Sequence, residues 1–184
     1  YAIGCDGITV VAGSVLAETN KVISNNLQIT EGSILTAKAG ILYADTIENQ
    51  GTLRLTSGQL SSVVSGAGTT EISGNVSATA KINQDITIGE EAGLYISASN
   101  ITTDVQNAGR LSLNAGTLTQ NVSGTGQTFI SGNVSNYAAI NQSVIINSAT
   151  DKLTTAFDKL AGTITNRGNL VLTSGTIDKY IGGS

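Results

Sequence analysis

The sequence contains no proline, histidine, methionine or tryptophan, and it has a single cysteine, Cys5. Without histidine and with one cysteine, the chain cannot form the usual Ser-His-Asp or Cys-His catalytic groups or the usual transition-metal sites. Cys5 also has no partner for a disulfide within the chain. We therefore expect that the protein is not an enzyme and that it holds no metal and no cofactor.

Charged residues are scarce, at 12% of the chain, and the net charge is −4 at pH 7. Nucleic-acid binding requires a basic stripe that neutralises phosphates, and the nine lysines and arginines are scattered, so we expect no nucleic-acid partner. No apolar run approaches the roughly 20 residues of a membrane-spanning helix, which predicts no membrane insertion of this segment. The 40% hydrophobic fraction predicts a packed protein rather than a disordered one.

The abundant residues are glycine, with 22 copies, and the strand and turn formers Ser, Thr, Asn, Val, Ile and Leu, which are arranged in a long internal repeat. Residues 49–88 recur at residues 107–146 at a constant offset of 58, and residues 164–177 realign with residues 47–60 at an offset of 117. Each copy must close the hydrophobic face of its neighbour, so we predict a single domain. It consists of three repeats of about 60 residues, at about 7–67, 68–125 and 126–184. The third repeat breaks off at the C-terminal letters IGGS, and we expect the segment to be excised from a longer protein.

Each copy divides into shorter segments that open with a β-branched residue and run to a glycine-rich turn. In the middle of the chain the segments start at Ile47, Val64, Ile82 and Val105, which are 17, 18 and 23 residues apart and together span the 58-residue repeat. Apolar and polar residues alternate between the glycines. This pattern is typical of short strands with one buried face.

Short strands at such spacings are compatible with few folds. A β-propeller blade needs about 40 or more residues and a leucine-rich repeat needs its own leucine frame, while a β-sandwich does not return the same residues at the same spacing. A parallel β-solenoid does, because each residue stacks on its equivalent in the next coil. We predict an all-β, right-handed parallel β-solenoid (β-helix) of about ten coils, roughly 50 Å long at about 4.8 Å per coil.

The stretch from Ser148 to Gly162 departs from this pattern. Leu153, Phe157 and Leu160 are spaced i, i+4, i+7, and Ser148 with Asp151 has the spacing of a capping box. This spacing predicts one short helix at about residues 150–160 that covers one side of the coil.

The residues we select for binding are aromatic residues at outward strand positions. Phe129 stands where the preceding copy has Glu71, Tyr137 replaces Thr79, and Tyr95 lies between two apolar residues that point inward. Exposed aromatic side chains can contact sugars or proteins, so we expect a glycan or a host surface protein as partner. The alternative interpretation is that these rings only cover a neighbouring loop or the predicted helix.

The repeated motifs NVSGTGQTFISGNVSN and VVSGAGTTEISGNVSA resemble the short repeats in the passenger regions of bacterial autotransporter adhesins, particularly the diffuse-adherence type. The resemblance covers about residues 44–147. It implies a right-handed parallel β-solenoid exposed outside the cell or on the bacterial cell surface, with a structural or adhesive role and no catalytic residues. This chain differs from the family in having SG-x-G and SGN where paired glycines are usual.

Two other functions are also compatible with the sequence. A carbohydrate-active β-helix, like a phage tailspike or a polysaccharide lyase, would need clustered acids, whereas the adjacent Glu90 and Glu91 are expected to form a solvated corner because neighbouring strand residues point to opposite faces. An ice-binding solenoid would need flat threonine arrays. Exposed ends of a solenoid resemble edge strands, so we also expect end-to-end self-association.

Overall fold

The computed structural model describes residues 3, 4 and 7–183, so Cys5 lies outside the described residues. The described chain is a succession of strands interrupted by three single 3-10 turns, at Ala39–Ile41, Ala98–Asn100 and Phe157–Lys159. The strands are β1 (Ile3–Gly4), β2 (Ile8–Val11), β3 (Ser14–Ala17), β4 (Val22–Ile29), β5 (Ile34–Ala37), β6 (Leu42–Asn49), β7 (Thr52–Leu60), β8 (Val63–Ser65), β9 (Thr69–Ala78), β10 (Asp85–Ile88), β11 (Gly93–Ile96), β12 (Val105–Asn107), β13 (Arg110–Leu118), β14 (Val122–Ser123), β15 (Gln127–Asn136), β16 (Ser143–Ile146), β17 (Lys152–Thr155), β18 (Ile164–Asn166), β19 (Asn169–Leu172) and β20 (Ile181–Gly182).

Every pair of strands in these sheets is parallel, and paired residues lie 16 to 20 positions apart, as Asp85 with Thr69 and Val22 with Leu42 show. Away from the two ends of the described chain, each side of a coil therefore pairs with the coil before it and the coil after it. The prediction of an all-β parallel β-solenoid of about ten coils is confirmed. The right-handed sense stays a prediction, in line with the strong preference of parallel crossovers for that hand.

Each coil has three sides, and we number the three resulting faces by the columns of inward residues that stack along them. Face 1 holds Leu27, Ile47, Val64, Ile82 and Ile101, and later Gly116, Val134, Leu153 and Leu170. Face 2 holds Leu35, Leu53, Thr70, Ile86, Val105, Val122, Ile140 and Leu160. Face 3 holds Gly58, Val76, Leu94, Leu111, Thr128, Val144, Ile164 and Ile181.

The 58-residue repeat does not contain a whole number of coils. Ile47 lies on face 1, whereas its repeat equivalent, Val105, lies on face 2. One repeat is ten sides, which is three coils of three sides and one side more. Each side contributes one residue to a stacked column, and all of these residues are buried except Gly58, which is exposed. They are Ile47, Leu53, Gly58, Val64, Thr70, Val76, Ile82, Ile86, Leu94 and Ile101.

Consecutive copies are therefore turned by one face about the solenoid axis, and equivalent residues of two copies do not stack on each other. The spacing of 23 between Ile82 and Val105 has the same origin. Ile82 pairs with Ile101 one coil later, and the short step from Ile101 to Val105 moves the chain to the next face.

The interior is a continuous column of aliphatic side chains. Most inward residues of the three faces are fully buried, including Ile47, Leu53, Ile86 and Leu111. Each buried side chain of this size contributes about 1.5–3 kcal/mol relative to an exposed one. Since no copy closes its own ends, this stabilisation depends on contact between successive coils.

The prediction of a short helix at residues 150–160 is wrong except for the single 3-10 turn at Phe157–Lys159. Strand β17 (Lys152–Thr155) occupies the first half and pairs on both sides, with β15 and β19. Leu153, Phe157 and Leu160 are all buried because each coil directs residues inward along its sides and at its corners, which here gives a helix-like spacing. The hydrogen bond from Ser148 Oγ to Asp151 Oδ2, 2.8 Å long, spans the turn before a strand rather than a helix.

A cluster of buried polar side chains joins three consecutive coils at one corner. Gln84 Oε1 accepts hydrogen bonds from Asn49 Nδ2 at 2.7 Å and from Thr70 Oγ1 at 2.8 Å. Gln84 Nε2 donates to the carbonyl oxygens of Asn49 and Ser65, at 3.3 Å each. Asn49 Oδ1 also accepts from the backbone nitrogen of Gly51 at 3.0 Å. The buried amide is therefore fully paired, which avoids the cost of an unsatisfied polar group.

The same cluster recurs one repeat later, with Asn107, Thr128 and Gln142. With the Gln142 amide oriented as in Gln84, its oxygen accepts from Asn107 Nδ2 at 2.9 Å and from Thr128 Oγ1 at 2.6 Å. Because of the one-face rotation, this second cluster lies at a different corner. The two copies therefore form the same corner structure, but they place it at different positions around the solenoid axis.

Glycines form the corners where the backbones of adjacent coils approach closely. Gly124 adopts φ 114°, in the region that favours glycine. A Cβ on Gly124 would collide with the carbonyl oxygen of Asn107 in the coil below. Gly66 has the same φ of 114° against Asn49. A side chain at either corner would separate two coils.

We predict that Gln84→Leu destabilises the protein by about 1–3 kcal/mol, since it leaves the buried hydroxyl of Thr70 without this partner and removes one of the two Asn49 amide hydrogen bonds. Urea unfolding monitored by far-UV circular dichroism measures the change. Gln106→Leu, the same substitution at an exposed position of β12, is the control and should change stability by no more than about 0.5 kcal/mol. Equal effects of the two substitutions would contradict the role of the buried amide.

Candidate binding surface

Tyr95 and Phe129 lie in one outward column of face 3. The strand ladders pair Tyr95 with Ser112, Ser112 with Phe129, and Phe129 with Ile145. Each of these residues stands between two buried neighbours on its strand, so its side chain points away from the core. The structure therefore brings two of the predicted binding residues to the same surface, two coils apart.

Arg110 lies in the adjacent outward column and stacks on Phe129. Its Cζ atom is 3.8 Å from the centroid of the Phe129 ring, and its Nε donates a hydrogen bond to Ser112 Oγ at 3.1 Å. Ser112 is only 6% exposed although it points outward, because these side chains cover it. The Arg110 guanidinium therefore covers one side of the Phe129 ring. The contact with this ring and the hydrogen bond to Ser112 together fix the plane of the guanidinium.

A shallow, open depression lies beside Arg110 on face 3, and we call it the Tyr95 depression. Gly58 and Gly93 lack side chains and leave the hollow open, while Asn75, Tyr95 and Arg110 border it. The remaining lining residues are Val76, Ser77, Leu94 and Ser112. The site combines one aromatic ring, one guanidinium, one amide and two hydroxyls around an open floor.

Tyr137, the third predicted residue, lies elsewhere. It is 69% exposed and follows Asn136, the last residue of β15, and its backbone nitrogen donates to the carbonyl of Leu118 at 3.0 Å. Asn136 belongs to face 1 and Ile140 to face 2, so Tyr137 occupies the corner between these two faces. The structure does not bring Tyr137 to the Tyr95 depression.

Sequence reasoning missed Arg110, Tyr43 and Tyr180. Arg110 stands where the preceding copy has Thr52, so comparison of the copies contained the signal. Tyr43 is 49% exposed, with Lys21 Nζ 4.9 Å from its ring centroid, but it precedes the exact repeat and has no equivalent there for comparison. Tyr180, near the C-terminal end of the described chain, is 84% exposed.

The carboxylates do not gather on one surface of the described chain. Glu90 and Glu91 are exposed in the turn after β10, as expected for a solvated corner. Glu71 lies on the outer side of face 2 and accepts a 2.8 Å salt bridge from Arg54 Nε. Residues 7–183 contain no group of three or more carboxylate or thiol side chains that could hold a metal ion.

The N-terminal end of the solenoid exposes apolar side chains. The largest exposed ones are Ile8, Val10 and Leu16, and Val10 and Leu16 border a hollow that reaches the core residues Leu27 and Leu35. Among the described strands, β2 pairs with β4 and β3 pairs with β5. Such an end has the features of an edge-to-edge contact surface.

No family model, no curated protein and no solved structure matches this chain. The resemblance to autotransporter adhesins therefore rests on the sequence motifs, and the structure supports the part of it that concerns the parallel β-solenoid. Within the described part of the chain, no helix is long and apolar enough to cross a membrane.

We predict that a double-mutant cycle between Arg110→Ala and Phe129→Ala yields a coupling free energy of about 0.5–1 kcal/mol, because the guanidinium stacks on the ring. Chemical unfolding of the wild type, both single variants and the double variant measures it. The matched cycle is Arg54→Ala with Glu71→Ala, an exposed ion pair whose coupling should fall as salt is raised. Additive effects in the Arg110 cycle would show that the stacking does not stabilise the fold.

Proposed function

We propose that this chain is a structural and adhesive segment of a bacterial cell-surface protein, exposed outside the cell, that acts as a rigid stalk and binds a glycan or a host surface protein through its outer faces. The proposal rests on a difference between the copies of the repeat, which keep most of the same residues at inward positions and have different residues at many outward positions. The copies keep inward residues such as Leu53 and Leu111, while outward Thr52, Arg54 and Glu71 are exchanged.

The support for the stalk role is the geometry of the coils. About ten coils at roughly 4.8 Å each give a rod of roughly 50 Å. Hydrogen bonds between coils and the continuous aliphatic core resist bending. A solenoid has no preferred length, so further coils would extend the same rod.

The support for adhesion is the composition of face 3. Aromatic side chains and an arginine are enriched in protein contact surfaces and can stack on sugar rings. In this chain they lie on a stiff sheet, which positions them without further ordering on binding. An exposed location agrees with the family resemblance.

Two measurements on the purified chain test this function. Small-angle X-ray scattering should give the profile of a rod with a maximum dimension of roughly 50 Å. Arrays of glycans and of host surface proteins should show retention of the fluorescently labelled chain on at least one ligand class. A compact globular profile would contradict the stalk role, and absence of retention on both arrays would contradict the adhesive role. Release of oligosaccharides from a retained polysaccharide would instead favour the carbohydrate-active alternative.

We also predict end-to-end association through the N-terminal end. Sedimentation velocity should show a population of larger species that grows with protein concentration, because association buries exposed apolar side chains. Leu16→Lys should suppress this population. Val63→Lys, at a less exposed position within the solenoid, is the control and should leave it unchanged. Equal sedimentation of the wild type and Leu16→Lys at all concentrations would contradict the prediction.

A further inference from the structure

Among the residues that the structure describes, no carboxylate pairs with Arg110, in contrast to Arg54, the other arginine on a solenoid face. Arg54 on face 2 is neutralised by Glu71 at 2.8 Å. In the next copy Phe129 stands in place of Glu71, so the cation of face 3 is supported by a ring that carries no net charge. The exchange retains a stacked pair of side chains on adjacent coils and leaves the positive charge available to an external anion.

The two outward columns of face 3 at Arg110 contain no carboxylate. One column runs through Asn75, Gly93, Arg110, Gln127 and Ser143, and the other runs through Ser77, Tyr95, Ser112, Phe129 and Ile145. Glu90 and Glu91 lie in the exposed turn before Gly93, and neither forms an ion pair with Arg110 within the described residues. Within the described residues, the guanidinium forms a hydrogen bond through Nε to Ser112, and none through its two terminal nitrogens. Those nitrogens remain as a planar pair of donors, which is the geometry that binds a carboxylate through two parallel hydrogen bonds.

The Tyr95 depression supplies the other contacts that a sugar needs. Tyr95, 43% exposed, presents an aromatic ring on which the C–H face of a pyranose can stack. Asn75 and Ser77 border the hollow with an amide and a hydroxyl group that can bond to sugar hydroxyls. The open floor at Gly93 suits one or two sugar units of a longer chain rather than an enclosed small molecule.

From this arrangement we infer that the Tyr95 depression binds a saccharide that carries a carboxylate, with the acid group on the terminal nitrogens of Arg110 and the sugar ring against Tyr95. This inference rests on the proposed function, since it names the glycan class that the outer face recognises. The carboxylate can come from a uronic acid or from a sialic acid, and both present the same anion beside a pyranose ring. A neutral sugar lacks the group that would pair with the guanidinium.

Nuclear magnetic resonance titration of the ¹⁵N-labelled full chain tests the inference. The acidic probes are trigalacturonate and sialyllactose, and the neutral controls are carboxyl-reduced trigalacturonate and lactose. We expect at least one acidic probe to shift the amide signals of residues 93–96 and 110–113. The neutral probes should bind at least about tenfold more weakly, since they lack the charge-assisted hydrogen bonds between a carboxylate and the guanidinium. Which acidic probe binds distinguishes the uronate source from the sialate source.

Arg110→Gln should reduce the affinity for the acidic probe about tenfold or more, and Arg54→Gln should leave it unchanged, because the charge of Arg54 is already paired. Gly93→Ala should also weaken binding, since its Cβ would lie 2.8 Å from Asn75 Oδ1 and would partly fill the floor. Gly89→Ala is the control, because its Cβ meets nothing closer than 3.5 Å. Amide spectra of each variant establish that the fold is retained.

Three outcomes would overturn the inference, namely equal binding of acidic and neutral probes, signal shifts confined to other faces, and no effect of Arg110→Gln on acidic binding. None of them contradicts the proposed adhesive role, which the arrays test with other ligands. If the chain is retained on a host protein and binds none of the four saccharides, the inference fails and the adhesive role stands. If the arrays show no retention and the titrations show no binding, both fail.

Discussion

The ladder of parallel backbone hydrogen bonds between each strand and its equivalents in the coils below and above imposes the main constraint on this protein. A residue of an inner coil must match two neighbours, each 16 to 20 positions away, as Ile86 matches Thr70 and Val105. A proline would remove a donor from this ladder, and the chain has none. A bulky corner would force coils apart, which is why Gly124 lies against the backbone of Asn107.

The ladder fixes the register of each side but leaves the number of residues in a coil variable. Sides of different length are accommodated at the corners, so a coil can gain or lose a few residues without disturbing its neighbours. A sequence repeat in such a fold therefore needs to contain a whole number of sides and not a whole number of coils. The 58-residue unit contains ten sides, which is one side more than three coils. Each copy therefore begins one face further round the axis than the copy before it.

This rotation decides on which face of the rod a substitution in one copy appears. Positions that duplication made identical come to lie on different faces, so a substitution in one copy creates a feature on one side of the rod only. Arg54 with Glu71 on face 2 and Ser112 with Phe129 on face 3 illustrate this, because the same positions hold an ion pair in one copy and a ring that supports Arg110 in the next. The binding surface we propose is a product of that divergence on a scaffold that both copies share.

The sequence by itself determined the fold class, because alternation between glycines and an ungapped repeat is required by stacked parallel strands and by few other structures. It also determined that Tyr95 and Phe129 point outward, since Tyr95 stands between Leu94 and Ile96 and Phe129 aligns with the charged Glu71 of the preceding copy. The prediction of a helix at residues 150–160 was wrong, because a coil that directs Leu153, Phe157 and Leu160 inward gives the same spacing as the apolar face of a helix. Periodicity within one segment does not reveal that its hydrogen-bond partners lie in other coils.

Only the tertiary structure decided which outward residues meet. Tyr95, Arg110 and Phe129 come together because adjacent coils align them across the ladder, whereas Tyr137 is carried to another corner. The pairing offset varies from 16 to 20 residues along the solenoid, so the spacing in sequence does not by itself give the alignment between coils. The sequence therefore supplies the residues of the proposed binding surface, and the contacts between coils bring them together.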